Sequence, residues 1–227
     1  MTVYNAEYAR TYRDHDDRLH ESVPYLGFVD WLRRACRSFR EPIDALDLGC
    51  GTGRYFCALE GVRDLVGIDA SEPMLAEARH PFKADEIRVQ SITLVYGDLL
   101  QYDFGPRRFD LVYSVGVLAE HVPLDARVVA RVARLLRPGG RFAFTTVHPE
   151  SPSVYRTPGR RLGSAVQPFL RGSLKKMIRE RLLSRGAYAD EMRINELLEP
   201  AFMVESLERF VSEAHLHCLC VARKAAA

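Results

Sequence analysis

The sequence predicts an α/β protein: a doubly wound, mostly parallel sheet of seven strands that ends in a C-terminal antiparallel hairpin. Three observations carry this. Short, partly β-branched apolar runs recur along the chain, and amphipathic segments separate the first five of them. The last two runs stand only five residues apart, too close for a parallel crossover and suited to a hairpin. The 227 residues are 47% hydrophobic and 27% charged, with 15 Gly and 12 Pro, which excludes a disordered or collagen-like chain. That length buries a core without metal or disulfide staples. No run approaches roughly 18 apolar residues, and no basic flank precedes an apolar stretch at the N-terminus, so neither a membrane span nor a secretory signal is expected. The expected location is the cytosol.

Taken in order, residues 1–40 read as a helical cap, with a break near Pro24 and aromatic residues that include Tyr4, Tyr8, Tyr12, Tyr25, Phe28 and Trp31. This cap is expected to cover the sheet's open edge. Residues 41–148 hold the core strands Ile43–Leu48, Leu65–Asp69, Ile92–Tyr96, Phe109–Ser114 and Arg141–Val147. A helix is expected from about Arg54, and a clearer one over Asp125–Arg137, where Val128, Val129, Val132, Leu135 and Leu136 fall at helical spacing before Pro138-Gly139-Gly140. Residues 149–190 read as an insertion between the fifth and sixth strands, rich in Pro and Gly and then a basic helix over Ser173–Arg185. Residues 191–227 supply the final helix and the hairpin strands Phe202–Phe210 and Leu216–Arg223. All of this makes one domain.

Charge is unevenly spread. Residues 1–150 carry 19 basic and 22 acidic side chains, whereas 151–190 carry nine basic and two acidic. Such an excess suits either an anionic partner or a solvated helix face. The five cysteines have no metal-ligand spacing, and Cys218 and Cys220 would share one strand face, so buried free thiols are expected.

The first strand runs into Asp47-Leu48-Gly49-Cys50-Gly51-Thr52-Gly53, a glycine-rich turn at the carboxyl end of a parallel strand, where such sheets bind ligands. Twenty residues beyond Gly49, at the end of the second strand, stands Asp69, where a carboxylate can accept both hydroxyls of a ribose. Together they point to a nucleoside-containing ligand. The spacing G-x-G-x-G departs from the G-x-G-x-x-G cradle, which makes a dinucleotide the runner-up.

At these residues the chain resembles the class I, Rossmann-like S-adenosylmethionine-dependent methyltransferases. The resemblance extends through Ser71-Glu72-Pro73-Met74-Leu75, Gly97-Asp98-Leu99, the fourth strand, and Leu135-Leu136-Arg137-Pro138-Gly139-Gly140, spanning about 43–147 in order. It implies S-adenosyl-L-methionine as cofactor and S-adenosyl-L-homocysteine as product. Gly49, Cys50, Gly51 and Gly53 would line the methionine end, Asp47 would orient their loop, and Asp69 with Ala70 would bind the ribose. Met74 would flank the adenine, Asp98 would meet its amino group and the Leu99 amide a ring nitrogen. Ser114 and Val115 would offer backbone groups to the methionine portion, and Tyr4, Tyr8 or Tyr12 would close over it, Tyr12 being the residue chosen.

A general base is needed only for a poorly acidic hydroxyl or a protonated amine. His121, in the loop after the fourth strand, is the first candidate and His148, after the fifth, the second. Quinone-biosynthesis and small-RNA methyltransferases are similar here in an E-x-x-E-H pattern. This chain has Val117 at the first acidic position, which leaves two ligands and no metal site. The resemblance places acceptor choice in the N-terminal helices and the insertion, where Tyr155, Phe169 and Tyr188 lie among Arg156, Arg160, Arg161, Arg171, Lys175, Lys176 and Arg179. This suits a small, anionic biosynthetic acceptor methylated on O or N beneath a lid. An RNA acceptor is the alternative, less favoured at a pI near 8.3 with no attached recognition module. A non-catalytic, S-adenosylmethionine-binding regulatory subunit is the alternative of another class.

Overall fold

The computed structural model describes residues 5–19, 22–151, 188–212 and 215–225. Seven strands form one sheet: β1 (Ile43–Leu48), β2 (Val62–Asp69), β3 (Ser91–Tyr96), β4 (Phe109–Ser114), β5 (Leu136–Val147), β6 (Phe202–Ser212) and β7 (His215–Lys224). Their order is β3-β2-β1-β4-β5-β7-β6. The first five are parallel, while β7 pairs antiparallel with both β5 and β6. Chain order reverses between β1 and β4, and that switch point opens a crevice beyond the strands' carboxyl ends.

The helices are α1 (Ala6–Leu19), α2 (Val23–Arg37), α3 (Glu72–Ala78), α4 (Ala126–Leu135) and α5 (Glu191–Leu198). On one face, Val128, Val129 and Val132 of α4 and Ile194 and Leu198 of α5 pack on Leu46, Leu48, Val112 and Phe144. On the other, Tyr25, Trp31 and Leu32 of α2 pack with Ala45, Leu111, Ala143 and Leu219. Side-chain caps start these helices: Ser22 accepts from the Tyr25 amide, and Asp125 from the Arg127 and Val128 amides. All five cysteines are free and buried.

Three expectations need correction. The N-terminal helices do not cover the β3 edge; α2 packs on a sheet face and reaches the opposite edge strand β6, with the Phe28 and Phe210 ring centroids 5.2 Å apart. The edge strand β3 keeps most of its side chains exposed, Tyr96 at 63%. The helix expected from Arg54 is a single 3₁₀ turn over Phe56–Ala58. The strand β2 starts at Val62, three residues earlier than expected, and leaves too little chain after Gly53 for an α-helix. The α4 helix stops at Leu135, where Leu136 turns extended and joins β5 through a register shift opposite Phe109 and Leu111. Of the lid-like insertion expected at 149–190, residues 152–187, with the basic helix expected over Ser173–Arg185, lie outside the described residues. No described helix is long and apolar enough to cross a membrane.

Candidate functional site

A cavity of about 500 Å³ sits at the switch point, a size that holds a nucleoside-bearing ligand. Its floor is the loop after β1. The Gly49 and Cys50 amides both donate to the Ile68 carbonyl, at 2.8 and 3.0 Å, folding the loop across the end of β2. Gly49 has φ +82°, and a Cβ there would stand 2.6 Å from Val117 Cγ2, so only glycine fits. At Gly51, φ is +54° and an added Cβ would meet only Met74 Cε, at 3.4 Å, which leaves the backbone open to a ligand.

Asp69 ties the loop to β2. Its Oδ2 accepts from the Gly51 amide and its Oδ1 from the Ser71 amide, each at 2.9 Å. Burial raises its pKa, against those amides and the nearby His121. Asp47 is buried beside its register partner Tyr113, and burial pushes its carboxyl up to about 8 despite the Tyr113 hydroxyl. Asp98 lines the cavity and also braces its own turn, with Oδ1 accepting from the Leu100 amide at 2.7 Å.

The loop after β4 brings His121 to the cavity. Its backbone amide donates to the Val117 carbonyl at 2.8 Å, and Ala119 takes a left-handed φ of +62° to close the turn. Burial lowers the His121 pKa, and the Asp69 charge partly restores it. In the same turn, burial raises Glu120 to about 7.

The cavity therefore gathers Tyr12, Asp47, Gly49, Cys50, Gly51, Asp69, Ala70, Met74, Asp98, Leu99, Val115 and His121 of the residues expected from sequence. Three others do not line it. Gly53 turns the loop at φ +76° against Phe56, and the Ser114 hydroxyl donates to the Leu48 carbonyl at 2.8 Å, pinning β4 to β1. His148 is fully engaged elsewhere. Its Nδ1 accepts from the Glu150 amide at 3.0 Å, which makes Nε2 the protonated nitrogen, 3.3 Å from Glu191 Oε2. With Cys218 these groups lie within 4.8 Å of one another, but Arg209 already holds Glu191 as an ion pair, which opposes a cation there.

A buried cluster at the cavity's roof was missed. In α1, Asp16 is 1% exposed; its Oδ2 accepts from the Thr52 hydroxyl at 2.6 Å and its Oδ1 from Arg54 Nε. The Arg54 guanidinium lies 4.4 Å from the Tyr12 ring centroid. Arg54 Nη2 is buried without a partner among the described residues, a state that costs about 1–3 kcal/mol. The signal was present in the sequence: Tyr8, Tyr12 and Asp16 recur every four residues along one helix face.

A family model described as a methyltransferase domain matches residues 45–140, which span the glycine loop, Asp69, Asp98 and β4. Over these residues the chain is similar to methyltransferases. It is 30% identical over 130 residues to the demethylmenaquinone methyltransferase of Staphylococcus aureus strain MRSA252, covering 55% of this chain and 52% of that one. It is 37% identical over 108 residues to the ubiquinone biosynthesis O-methyltransferase of Methylococcus capsulatus, covering 46% of this chain and 43% of that one. The chain thus spans about half the length of the curated relatives it matches. An S-adenosylmethionine-dependent methyltransferase structure from Mesorhizobium loti superposes with a TM-score of 0.57 at 27% identity, covering 85% of this chain and 95% of that one.

Proposed function

We propose that this protein transfers the methyl group of S-adenosyl-L-methionine to an oxygen or nitrogen atom of a small acceptor. The observation that supports this best is Asp69: its carboxylate stands in the cavity wall at the end of β2, braced by two backbone amides. A carboxylate has about four acceptor sites, so capacity remains for a ribose diol. The open backbone at Gly51 and the cavity volume fit the cofactor. Asp47, Gly49, Cys50, Gly51 and Val115 would hold its methionine end, Met74, Asp98 and Leu99 its adenine, and Tyr12 would cover it. When bound, its sulfonium supplies a methyl group to the acceptor's lone pair and leaves as a neutral thioether.

The chain's own work is positioning and proton handling. Val117, Val122, Pro123 and Tyr55 wall the cavity and exclude water beside the reacting atoms. Orientation of two bound partners contributes about 7–11 kcal/mol. His121, with its pKa lowered by burial, is neutral near pH 7 and accepts the proton released by an acceptor hydroxyl or ammonium.

Relatives named for menaquinone and ubiquinone methylation favour a small-molecule acceptor. The test incubates the protein with methyl-labelled S-adenosylmethionine and, separately, pools of small hydroxylated and amine metabolites or tRNA. Label in the small-molecule fraction is expected. Label in RNA alone would overturn the acceptor class. Tight cofactor binding with no transfer to any pool would indicate a regulatory binding subunit instead.

A further inference from the structure

We propose that β3 pairs antiparallel with the β3 strand of a second copy of this chain, about a two-fold axis at Leu94. β3 is an end strand of the sheet, and nothing in its sequence keeps another strand away. From Val89 to Gly97 there is no charged residue and no Pro, and β3 runs along β2 without a bulge. Ile92, Thr93, Val95 and Tyr96 are residue types that favour strands. The other end strand, β6, is guarded: it carries Glu205, Glu208 and Arg209, with a bulge between Val204 and Ser206. An edge without such guards recruits a further strand.

The backbone and the side chains agree on a second copy as the occupant. The Gly97 amide donates to the Asp69 carbonyl of β2 at 2.9 Å. Every second residue of a strand turns its amide and carbonyl to the same side, so Thr93 and Val95 face β2 while Ile92, Leu94 and Tyr96 turn theirs outward. With the axis at Leu94, that residue meets its own counterpart and Ile92 stands opposite Tyr96 of the partner subunit, each pair exchanging both backbone hydrogen bonds. The same pairing covers the side chains. Ile92 and Tyr96 are 37% and 63% exposed and lie on one face of the strand. Across the axis they form two aromatic–β-branched pairs, a favoured cross-strand combination. The strand is its own complement, and the two-fold contact closes at two copies. So short a strand makes a small interface, which sets dissociation in the micromolar range. This pairing is independent of what the cavity binds.

The experiment is sedimentation velocity of the full chain across micromolar concentrations, with amide hydrogen exchange followed by NMR on the same samples. Wild type is expected to pass from monomer to dimer as concentration rises, and exchange at Ile92, Leu94 and Tyr96 slows by about ten-fold or more over the same range. Two double variants test the register, and urea unfolding shows whether each is folded. Ile92→Lys with Tyr96→Lys sets like charges opposite each other in both pairs, and a monomer at every concentration is expected. Ile92→Lys with Tyr96→Glu sets opposite charges at the same positions, and the dimer is expected to return. A wild type that stays monomeric would overturn the proposal, as would a dimer that survives in the first variant or fails to return in the second. If either variant does not fold, exchange in wild type decides: a dimer without slower exchange at those three amides would overturn the pairing.

Discussion

The Gly51 amide donates to Asp69 Oδ2 at 2.9 Å, and this bond adds a side-chain tie between the glycine loop after β1 and the acidic end of β2, beside the Gly49 and Cys50 amides on the Ile68 carbonyl. The carboxylate thus shapes the floor of the cavity and faces its contents. Asp69→Asn keeps the side-chain shape but removes the charge, so S-adenosylhomocysteine affinity is expected to fall by about ten-fold or more, as for a lost charge-assisted hydrogen bond. Calorimetry checks this, and unchanged affinity would show that the carboxylate does not meet the ligand.

Asp47 makes stability depend on pH in a defined direction. Its folded pKa, about 8, lies above the usual carboxylate value of 3.8, so between roughly pH 4 and 8 the folded protein retains a proton that the unfolded chain releases. Stability is therefore lost as pH rises through that window. Asp47→Asn removes the dependence. Relative to wild type, the variant is expected to gain stability steadily from pH 4 to 8, by about 1.4 kcal/mol per pH unit and on the order of 6 kcal/mol in all, and then to level off. Urea unfolding at several pH values measures it; a constant difference would contradict the buried-acid account.

The Asp16–Arg54 pair fastens α1 over the loop. Asp16→Ala leaves the guanidinium without its counter-charge, and a loss of about 3 kcal/mol is expected because one buried charge is left uncompensated. The double variant Asp16→Ala/Arg54→Met is expected to recover part of that loss. If the single and double variants were equally unstable, charge compensation would not be the reason.

His121 and His148 separate by location. His121→Gln is expected to bind S-adenosylhomocysteine within two-fold of wild type and to lose the acid limb of the kcat/KM profile once an acceptor is in hand. His148→Ala leaves cofactor binding intact and destabilises the fold by about 1–3 kcal/mol, because its partners at Glu150 and Glu191 lose a buried ring. A binding defect in His148→Ala would place it nearer the chemistry than its geometry does.

Much of the fold was legible because strand periodicity is local. The largely apolar run at Ile43–Leu48 and the stripe of Val128, Val129 and Val132 identify their elements without knowledge of the rest of the chain. The helix expected at Arg54 failed because the start of β2 at Val62 limits the intervening length, and the apolar run was read as starting later. The cavity floor was legible from the spacing of Gly49, Gly51 and Asp69. Its roof was legible only in part: the four-residue spacing of Tyr8, Tyr12 and Asp16 marks one helix face, but Asp16 and Arg54 are 38 residues apart and meet only after α1 docks, so the spacing does not name the partner. His148 looked like Asp69, a titratable residue at a strand's carboxyl end, yet its neighbours from the loop after β5 and from α5 enclose it.

The central claim is that this cavity holds S-adenosylmethionine through Asp69. Titration of S-adenosylmethionine, S-adenosylhomocysteine and NAD into the wild-type protein and Asp69→Ala tests it directly. Micromolar binding of the first two, lost in the variant, with no binding of NAD, is the expected result. Binding of NAD alone, or of none of the three, would contradict the cofactor assignment and every residue role built on it.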